Sequence, residues 1–408
     1  MAPEPIGLPN AGRRMIYFSD TTMRDGEQAP GVSFSLEQKL VIARELSQMG
    51  VHTIEVGFPA SSIQAFETCR RIAKEVGNSM EGRQHLGKPP VMGVLCRTLE
   101  SDIRRGYEAA QGAHEIQLRL FIATSDVHLK HKLRITREEC LRRVRDSVRF
   151  AKTLSPNIAF GAEDSSRTDP QFLLQVNQTA IDEGATAIVY ADTVGSSVPG
   201  EFHDAVKYQI TNLRNTENIM WGIHCHNDLG VGVANVLAGI QAGANYVDVT
   251  VTGVGERAGN AAMEEVAMCL TTHADYYNAT HQLNTRMFTS LAHRIAQDGG
   301  FTLAENKPIV GANVFRHASG IHQDGILKNP LTYQYIDPES VGAAGSQIIM
   351  GKHSGSSALL AKLAMLGYKN IAKDQTQILF AKYKLLAENR SVVTDADILE
   401  LMKGFSKG

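Results

Sequence analysis

Eight short runs of β-forming residues alternate with longer helical patterns over roughly the first two thirds of this 408-residue chain. Strands that alternate with helices form right-handed βαβ units around a parallel sheet, and eight such units favour closure of that sheet into a barrel. The predicted fold is therefore α/β, a (β/α)₈ TIM barrel. Its strands are predicted at Met15–Ser19, Thr53–Val56, Val91–Leu95, Glu115–Leu120, Asn157–Gly161, Ala187–Tyr190, Ile219–His224 and Tyr246–Val251.

The helical patterns carry recognisable starts and ends. Ser35 and Thr136 stand where N-caps are expected, and Gly50, Gly184 and Gly243 stand where helices end. Helices are predicted at Leu36–Met49, Ile63–Val76, Arg137–Leu154, Pro170–Glu183, Phe202–Leu213 and Val231–Ala242.

The alternation stops after Asp275, which predicts a mostly helical C-terminal extension. A helix at Leu283–Gln297 and a glycine-rich loop at Pro308–Asn329 are expected first. Three short helices should follow, at Gly355–Leu366, Asp374–Asn389 and Thr394–Lys403. The expected organisation is a flexible tail over residues 1–14, the barrel over 15–280, a subdomain over 281–345 and a small helical subdomain over 346–408.

Composition excludes several classes of protein. The net charge of −2 gives no field that would attract nucleic acid or an acidic membrane surface. No run of about 18 apolar residues is present, and the Pro- and Gly-rich N-terminus lacks the core of a secretory signal. The five cysteines form no CxxC pair, so neither a disulfide framework nor a structural zinc site is indicated. A cytoplasmic protein is expected.

Polar residues follow the predicted strands at the ends where (β/α)₈ barrels keep their active sites. Arg24 and Asp25 come after the first strand, and taken alone they are more typical of a plain salt bridge. Every other strand also ends in polar groups, and scattered structural residues would not all collect on one rim. They include Glu55, Arg97, Arg119, Glu163, Asp192, Thr193, His224, His226 and Asn260.

His224 and His226 give the sharpest single signal. Side chains at positions i and i+2 of a strand point to the same side, so both imidazoles can face one ion. Two such histidines are often only hydrogen-bonded polar residues, but a carboxylate at Asp25 and an amide at Asn260 favour a divalent metal. Mixed nitrogen and oxygen ligands suit Mg²⁺, Mn²⁺ or Zn²⁺ and do not choose among them. A 2-oxo acid could chelate the ion through its carboxylate and ketone oxygens.

Four separate motifs stand in order along the chain: Asp20–Gln28, His224–Gly230, Gly255–Asn260 and Ser319–Gly325. They resemble those of the 2-isopropylmalate synthase and homocitrate synthase family. These are acetyl-CoA-dependent enzymes of the metal-dependent TIM-barrel lyase superfamily. A further tract is more similar to isopropylmalate synthases than to homocitrate synthases: Phe121–Ser125 with His128, Lys132 and Leu133, together with Gln323 after His322.

The resemblance implies an acyltransferase that condenses acetyl-CoA with a 2-oxo acid and then hydrolyses the thioester. It implies Asp25, His224 and His226 as metal ligands, with Asn260 on or beside the ion. It further implies a domain-swapped homodimer, because the family's C-terminal segment enters the neighbouring barrel. The expected catalytic residues are Arg24, Glu163, His322 and Tyr333. The expected substrate contacts are Gln28, Glu55, Arg97, Arg119, Gly161 and Thr193.

Two departures from the family pattern leave the acceptor open. Arg119 replaces a usual histidine, and Gly161 replaces a common serine two residues before Glu163. A guanidinium in the pocket favours an anionic acceptor such as oxaloacetate, 2-oxoglutarate or phosphonopyruvate. If Arg119 instead points into the helix layer, 2-oxoisovalerate, the acceptor of an isopropylmalate synthase, remains, and the extra room would suit a large apolar side chain such as that of phenylpyruvate.

Two other functions compete with the synthase. A carbon–carbon lyase of the same superfamily would use the same metal ligands but lacks the segment around His322, and a non-catalytic barrel would not keep polar groups at all eight strand ends. The family's leucine-responsive members carry a further regulatory domain, which is not expected here.

Overall fold

The computed structural model describes residues 12–369, 371–390 and 392–403, which form two compact units that divide after Leu303. The first unit is a closed barrel of eight parallel strands, in which each strand pairs with the next and the last pairs with the first. The predicted (β/α)₈ fold is confirmed. The strands are β1 (Tyr17–Asp20), β2 (Thr53–Gly57), β3 (Val91–Arg97), β4 (Ile116–Ala123), β5 (Asn157–Glu163), β6 (Ala187–Asp192), β7 (Met220–Cys225) and β8 (Tyr246–Val249).

Helices follow the strands and close the barrel from outside. The longer helices of the first unit are α1 (Leu36–Met49), α2 (Ile63–Val76), α3 (Glu100–Ala110), α4 (Arg137–Lys152), α5 (Pro170–Asp182), α6 (Pro199–Asn212), α7 (Gly232–Ala242), α8 (Met263–Thr272) and α9 (Phe288–Asp298), and two short ones lie at Asp126–His128 and Ala274–Tyr277. Helix α1 shows how local sequence sets its bounds. Ser35 forms a capping box with Gln38 at its start, and Gly50 ends it at φ 99°. Met15, predicted in the first barrel strand, instead belongs to a two-residue strand, Arg14–Met15, that pairs with Ala279–Thr280.

The second unit has a hydrophobic core of its own, built around Leu359, Leu363, Leu379, Tyr383 and Ile398. Its helices are α10 (Gly320–Lys328), α11 (Ser356–Met365), α12 (Lys373–Glu388) and α13 (Asp395–Leu401). The three predicted short helices are therefore present. The loop predicted at Pro308–Asn329 is wrong over its second half, where α10 forms. In the part of the chain that the structure describes, no helix combines the length and apolar character needed to cross a membrane.

Candidate active site and metal centre

A cavity of about 310 Å³ opens at the C-terminal ends of the barrel strands. Side chains at alternate positions of each strand point into the barrel, which brings residues far apart in sequence to one wall. The cavity is lined by Arg24, Asp25, Gln28, Glu55, Leu95, Arg119, Leu120, Phe121, Lys132, Ala159, Gly161, Glu163, Val189, Ala191, Thr193, His224, His226, Asp248, Glu256 and Arg257.

Asp25, His224 and His226 converge in this cavity. Nε2 of His224 lies 3.3 Å from Nε2 of His226 and 3.4 Å from Oδ2 of Asp25, and His226 Nε2 lies 3.9 Å from the same oxygen. A point roughly 2.1 Å from all three atoms lies inside this triangle, and that is the usual length of metal–imidazole and metal–carboxylate bonds. Among the described residues, this group has the geometry to hold a metal ion.

The electrostatics of the three groups suit a cation. Burial alone would raise the pKa of Asp25, but Arg24 and the two imidazoles hold it well below its ordinary value. Burial opposes charge on His224, yet the carboxylates of Asp248 and Asp25 raise its pKa to about 9. Burial and the neighbouring His224 lower the pKa of His226 to about 4. The carboxylates around His224 thus favour a cation at this site, and metal binding would compete with protonation of the imidazole.

Asn260 lies beside the triad and fits a ligand role. Its backbone forms an isolated antiparallel bridge with His226, and its Nδ2 donates to Asp25 Oδ1 over 3.2 Å. Its buried Oδ1 has no hydrogen-bond partner among the described residues. Such a buried oxygen usually has a partner, so a cation or a water molecule is expected to contact it. Gly255 permits this placement, since a Cβ there would lie 2.1 Å from Asn260 Nδ2.

Arg24 links the triad to Glu55. It donates to Asp25 Oδ2 over 2.7 Å and, through Nε, to Glu55 Oε2 over 2.9 Å, while its Nη2 approaches Glu55 at 2.8 Å. A guanidinium carries five N–H donors, so N–H groups remain on both terminal nitrogens of Arg24. These groups can meet an oxygen that enters the cavity.

Glu163 is held by two basic side chains. Lys132 Nζ lies 2.5 Å from Glu163 Oε1, and His128 Nε2 lies 3.6 Å from the same atom. The other nitrogen of His128 contacts Asp164 at 2.9 Å, so the imidazole stands between two carboxylates. Lys132 reaches the cavity from a π-helical turn, a local widening that is common at functional sites.

Arg119 points into the barrel, so the alternative that placed it in the helix layer is wrong. Its Nη2 donates to both oxygens of Asp248, at 2.8 and 2.6 Å. Its Nη1 donates to Ser19 and Tyr246 over 2.8 Å each, and its Nε lies 3.4 Å from Glu55 Oε1. The N–H groups of both terminal nitrogens of Arg119 therefore donate to acceptors of the barrel itself. The expected free guanidinium, ready for an anionic acceptor, is not what the structure shows.

The remaining predicted residues fall into three groups. Gln28, Gly161 and Thr193 line the cavity. Arg97 does not line it, because its side chain pairs with Asp102 over 2.6 Å and lies over the ring of Phe58. His322 and Tyr333 belong to the second unit, where their rings stack with centroids 4.1 Å apart; His322 is exposed.

Lys132 and Asp248 of the cavity wall were not predicted as site residues. Lys132, which pairs with Glu163, belongs to the tract that resembles isopropylmalate synthases, but the spacing of its basic run does not indicate the cavity. Asp248 did carry a signal: it is an acidic residue inside an otherwise apolar strand, two positions after Tyr246 and so on the same face.

Comparison with known proteins places this site in a family. The family model described as HMGL-like matches residues 15–295, and the model described as homocitrate synthase post-HMGL domain-like matches residues 309–391. A 2-isopropylmalate synthase of Pyrococcus furiosus is 43% identical over 94% of this chain and 75% of its own length. The chain belongs to the 2-isopropylmalate synthase family. The resemblance drawn from its four motifs is confirmed.

Other members of this family match at similar levels. The 2-isopropylmalate synthase 1 of Caldanaerobacter subterraneus subsp. tengcongensis is 42% identical over 97% of this chain and 98% of its own length. The chloroplastic methylthioalkylmalate synthase 1-1 of Eutrema japonicum is 42% identical over 98% of the chain and 79% of its own.

Solved structures support the barrel alone. A hydroxymethylglutaryl-CoA lyase from Pseudomonas aeruginosa is similar with a TM-score of 0.59 at 18% identity, over 71% of this chain and 95% of its own. The HMG-CoA lyase of Bacillus subtilis gives a TM-score of 0.58 at 19% identity, with the same coverage. At this identity the likeness shows a shared fold.

Proposed function

We propose that this protein condenses acetyl-CoA with a 2-oxo acid and hydrolyses the resulting thioester, giving a 2-substituted malate and CoA. The observation that carries the proposal is the convergence of Asp25, His224 and His226 beside Arg24 in one cavity. The family relatives named 2-isopropylmalate synthase support the reaction class. The lyase alternative has fold-level support only, and the match of residues 309–391 to a synthase-associated domain favours the synthase.

Each group of residues in the cavity has a separate proposed role. Asp25, His224 and His226 would hold a divalent ion, with Asn260 beside it, and the ion would supply Lewis-acid polarisation of the ketone. Arg24 has N–H groups left to donate to the oxygen that becomes negative during carbon–carbon bond formation. Glu163, which pairs with Lys132, would accept a proton. His322 and Tyr333 are assigned to proton transfer by the family resemblance.

The charge of the buried cluster favours an acceptor with one carboxylate. Arg24 and Arg119 face three carboxylates, those of Asp25, Glu55 and Asp248, which leaves one net negative charge when the imidazoles are neutral. A divalent cation reverses that sign, and a singly charged 2-oxo acid balances it. The other basic residues of the described cavity wall, Lys132 and Arg257, are paired with Glu163 and Asp228. A second carboxylate or phosphonate on the acceptor would therefore lack a free cationic partner among the described residues, and an unpaired buried charge is costly.

The cavity wall favours an apolar side chain on the acceptor. Leu95, Phe121, Val189 and Ala191 line it, and Gly161 leaves open room, since a Cβ there would meet nothing closer than 3.8 Å. The preferred acceptor is therefore a 2-oxo acid with an uncharged branched or aromatic side chain. From the sequence, Arg119 indicated an anionic acceptor such as oxaloacetate or 2-oxoglutarate. The contacts of Arg119 do not favour that alternative.

A substrate panel tests this proposal. We expect free thiol to be released from acetyl-CoA with 2-oxoisovalerate or phenylpyruvate, and kcat/KM to be at least about tenfold lower with oxaloacetate or 2-oxoglutarate. Arg119→His should keep this order. A preference for an anionic acid that disappears in Arg119→His would show that Arg119 binds the acceptor.

Metal removal tests the site separately. Chelation should abolish turnover, and Mg²⁺, Mn²⁺ or Zn²⁺ should restore it to different extents, which identifies the preferred ion. His224→Ala should lose both bound metal and activity, whereas His203→Ala, a histidine on the outer face of α6, should keep both. Full turnover of the chelated enzyme would contradict the metal assignment.

The proposed assembly is a homodimer in which the second unit of one copy serves the barrel of the other. Each unit exposes apolar side chains that a partner would cover. On the barrel, Ile63, Leu99, Val127, Val198 and Leu229 are exposed after five different strand ends. On the second unit, Ile321, Leu331 and Tyr335 are exposed around the stacked pair of His322 and Tyr333.

A further inference from the structure

An unbroken series of alternating charges joins two of the three proposed metal ligands through the interior of the barrel. It runs from His224 to Asp248, Arg119, Glu55, Arg24 and finally Asp25. The proposed chemistry uses Arg24 but assigns no task to Asp248. Within this series, Asp248 contacts Arg119 on one side and the imidazole of His224, a proposed metal ligand, on the other.

Asp248 faces the nitrogen of His224 that does not enter the metal triangle. Its Oδ2 lies 3.6 Å from His224 Nδ1, while His224 Nε2 points at Asp25 and His226. Strand pairing enforces this contact, because His224 on β7 and Asp248 on β8 are direct neighbours in the register. Hydrogen bonds that orient functional groups are often long before the site is occupied.

Arg119 keeps Asp248 ionised, so that its carboxylate can accept a hydrogen bond. Asp248 is almost fully buried, and burial alone would raise the pKa of its carboxyl, but Arg119 and His224 hold the pKa well below its ordinary value. Both carboxylate oxygens are fixed by one nitrogen of Arg119. Gly93 makes room for this arginine, since a Cβ there would lie 3.0 Å from Arg119 Cδ.

We propose that Asp248, clamped by Arg119, is a positioning residue that receives the Nδ1–H of His224 and so presents Nε2 to the metal ion. A carboxylate in this place fixes the tautomer and ring orientation of a ligand histidine and increases its basicity. His226 has no such partner, as its buried Nδ1 makes no hydrogen bond among the described residues. Of the two imidazoles, His224 is thus the one that the barrel interior orients. This inference rests on the metal site of the proposed function.

Mn²⁺ binding, measured by electron paramagnetic resonance of the free ion, tests the role without relying on turnover. Asp248→Asn should weaken Mn²⁺ binding by about 10- to 100-fold. Glu55→Gln is the matched control: it removes an equal buried charge that also pairs with Arg119 but faces no imidazole. Its effect on the Mn²⁺ dissociation constant should be at least severalfold smaller. If both variants weakened Mn²⁺ binding equally, the loss of a buried negative charge would explain the effect. The positioning role of Asp248 would then be refuted.

Mn²⁺ binding by the wild-type protein and nuclear magnetic resonance distinguish failure of the metal site from failure of the positioning role. If wild-type protein binds no Mn²⁺, the metal site itself fails, and the positioning role fails with it. If Asp248→Asn does not fold, nuclear magnetic resonance of Zn²⁺-loaded wild-type protein decides instead. A downfield, slowly exchanging Nδ1 proton on His224 is expected, and a rapidly exchanging one would refute the hydrogen bond to Asp248.

Discussion

His281 shows how the partners of a single side chain set its charge. Its half-buried ring has Nε2 3.1 Å from the carbonyl oxygen of Ala267 and 2.8 Å from Thr271 Oγ1, while Nδ1 accepts from the backbone N–H of Leu283 over 3.1 Å. Because that N–H can only donate, Nδ1 must carry no proton. Burial lowers the pKa of His281 to about 4, although the Ala267 carbonyl opposes the shift.

This neutral histidine should make the barrel unit sensitive to acid. An unfolded histidine has a pKa near 6.5, so the unfolded chain binds the extra proton first as the pH falls. The stability that His281 contributes is complete above about pH 6.5 and is lost toward pH 4, by up to about 3 kcal/mol. Urea unfolding followed by the fluorescence of Trp221 measures it.

His281→Gln should flatten this pH dependence, because an amide can donate and accept without titrating. His203→Gln, at an exposed position, should keep the wild-type slope. Equal slopes in all three proteins would show that His281 does not titrate between these values.

Residue types at the strand ends could be predicted from the sequence, but their pairing could not. The spacing of His224 and His226 and the position of Asp25 indicated one cluster, and the structure brings them together. The direction of Arg119 was left open, since its acceptors come from β1, β2 and β8. Only the closed barrel brings Ser19, Glu55 and Asp248 around one guanidinium.

At the scale of secondary-structure elements, the strands and helices with a clear hydrophobic pattern could be predicted from the sequence. All eight strands form, and α1 and α2 have the predicted bounds. No helix was predicted over α3, α8 or α10, although all three form. Helix α3 has Gly106 at its centre and α10 contains Gly320 and Gly325, and glycine weakens a helical pattern. These helices are held by packing that a local pattern does not reveal.

Gly106 illustrates that packing. A Cβ at this position would lie 2.5 Å from Sγ of Cys96 at the end of β3 and 3.5 Å from Val94 Cγ2. Glycine therefore lowers the helix propensity of α3 but lets it approach the barrel closely. Gly106→Ala should destabilise the protein by about 1–3 kcal/mol, as overpacking of a core does, despite the better helix propensity of alanine.

The sign of that effect should reverse once the sulfur is removed. In a Cys96→Ala background, Gly106→Ala should be neutral or stabilising by up to about 1 kcal/mol, because the propensity gain then remains without the clash. Urea unfolding of the two single variants and the double variant measures the coupling. Additive effects of the two changes would show that Cys96 is not what requires glycine here.

At the scale of the whole molecule, the proposed function assigns roles to residues of both units. Asp25, His224 and Glu163 belong to the barrel unit, and His322 and Tyr333 belong to the second unit, which has its own core. In the proposed dimer, each active site would combine a barrel from one copy with a second unit from the other. Such an arrangement can be tested with inactive subunits.

Asp25→Ala and His322→Ala should each be inactive alone but partly active when mixed. A dimer with one copy of each variant has one site with both defects and one site with neither. Random assembly makes about half of the dimers mixed, so activity should recover to about a quarter of the wild-type value. Co-refolding the two variants, followed by thiol release from acetyl-CoA, measures this recovery.

Asp25→Ala mixed with His224→Ala is the matched control, because each barrel then carries a defect and no intact site can form. Recovery in the first mixture and none in the second is the result that a shared site requires. If differently tagged subunits co-purify as mixed dimers and neither mixture recovers, His322 serves the barrel of its own chain.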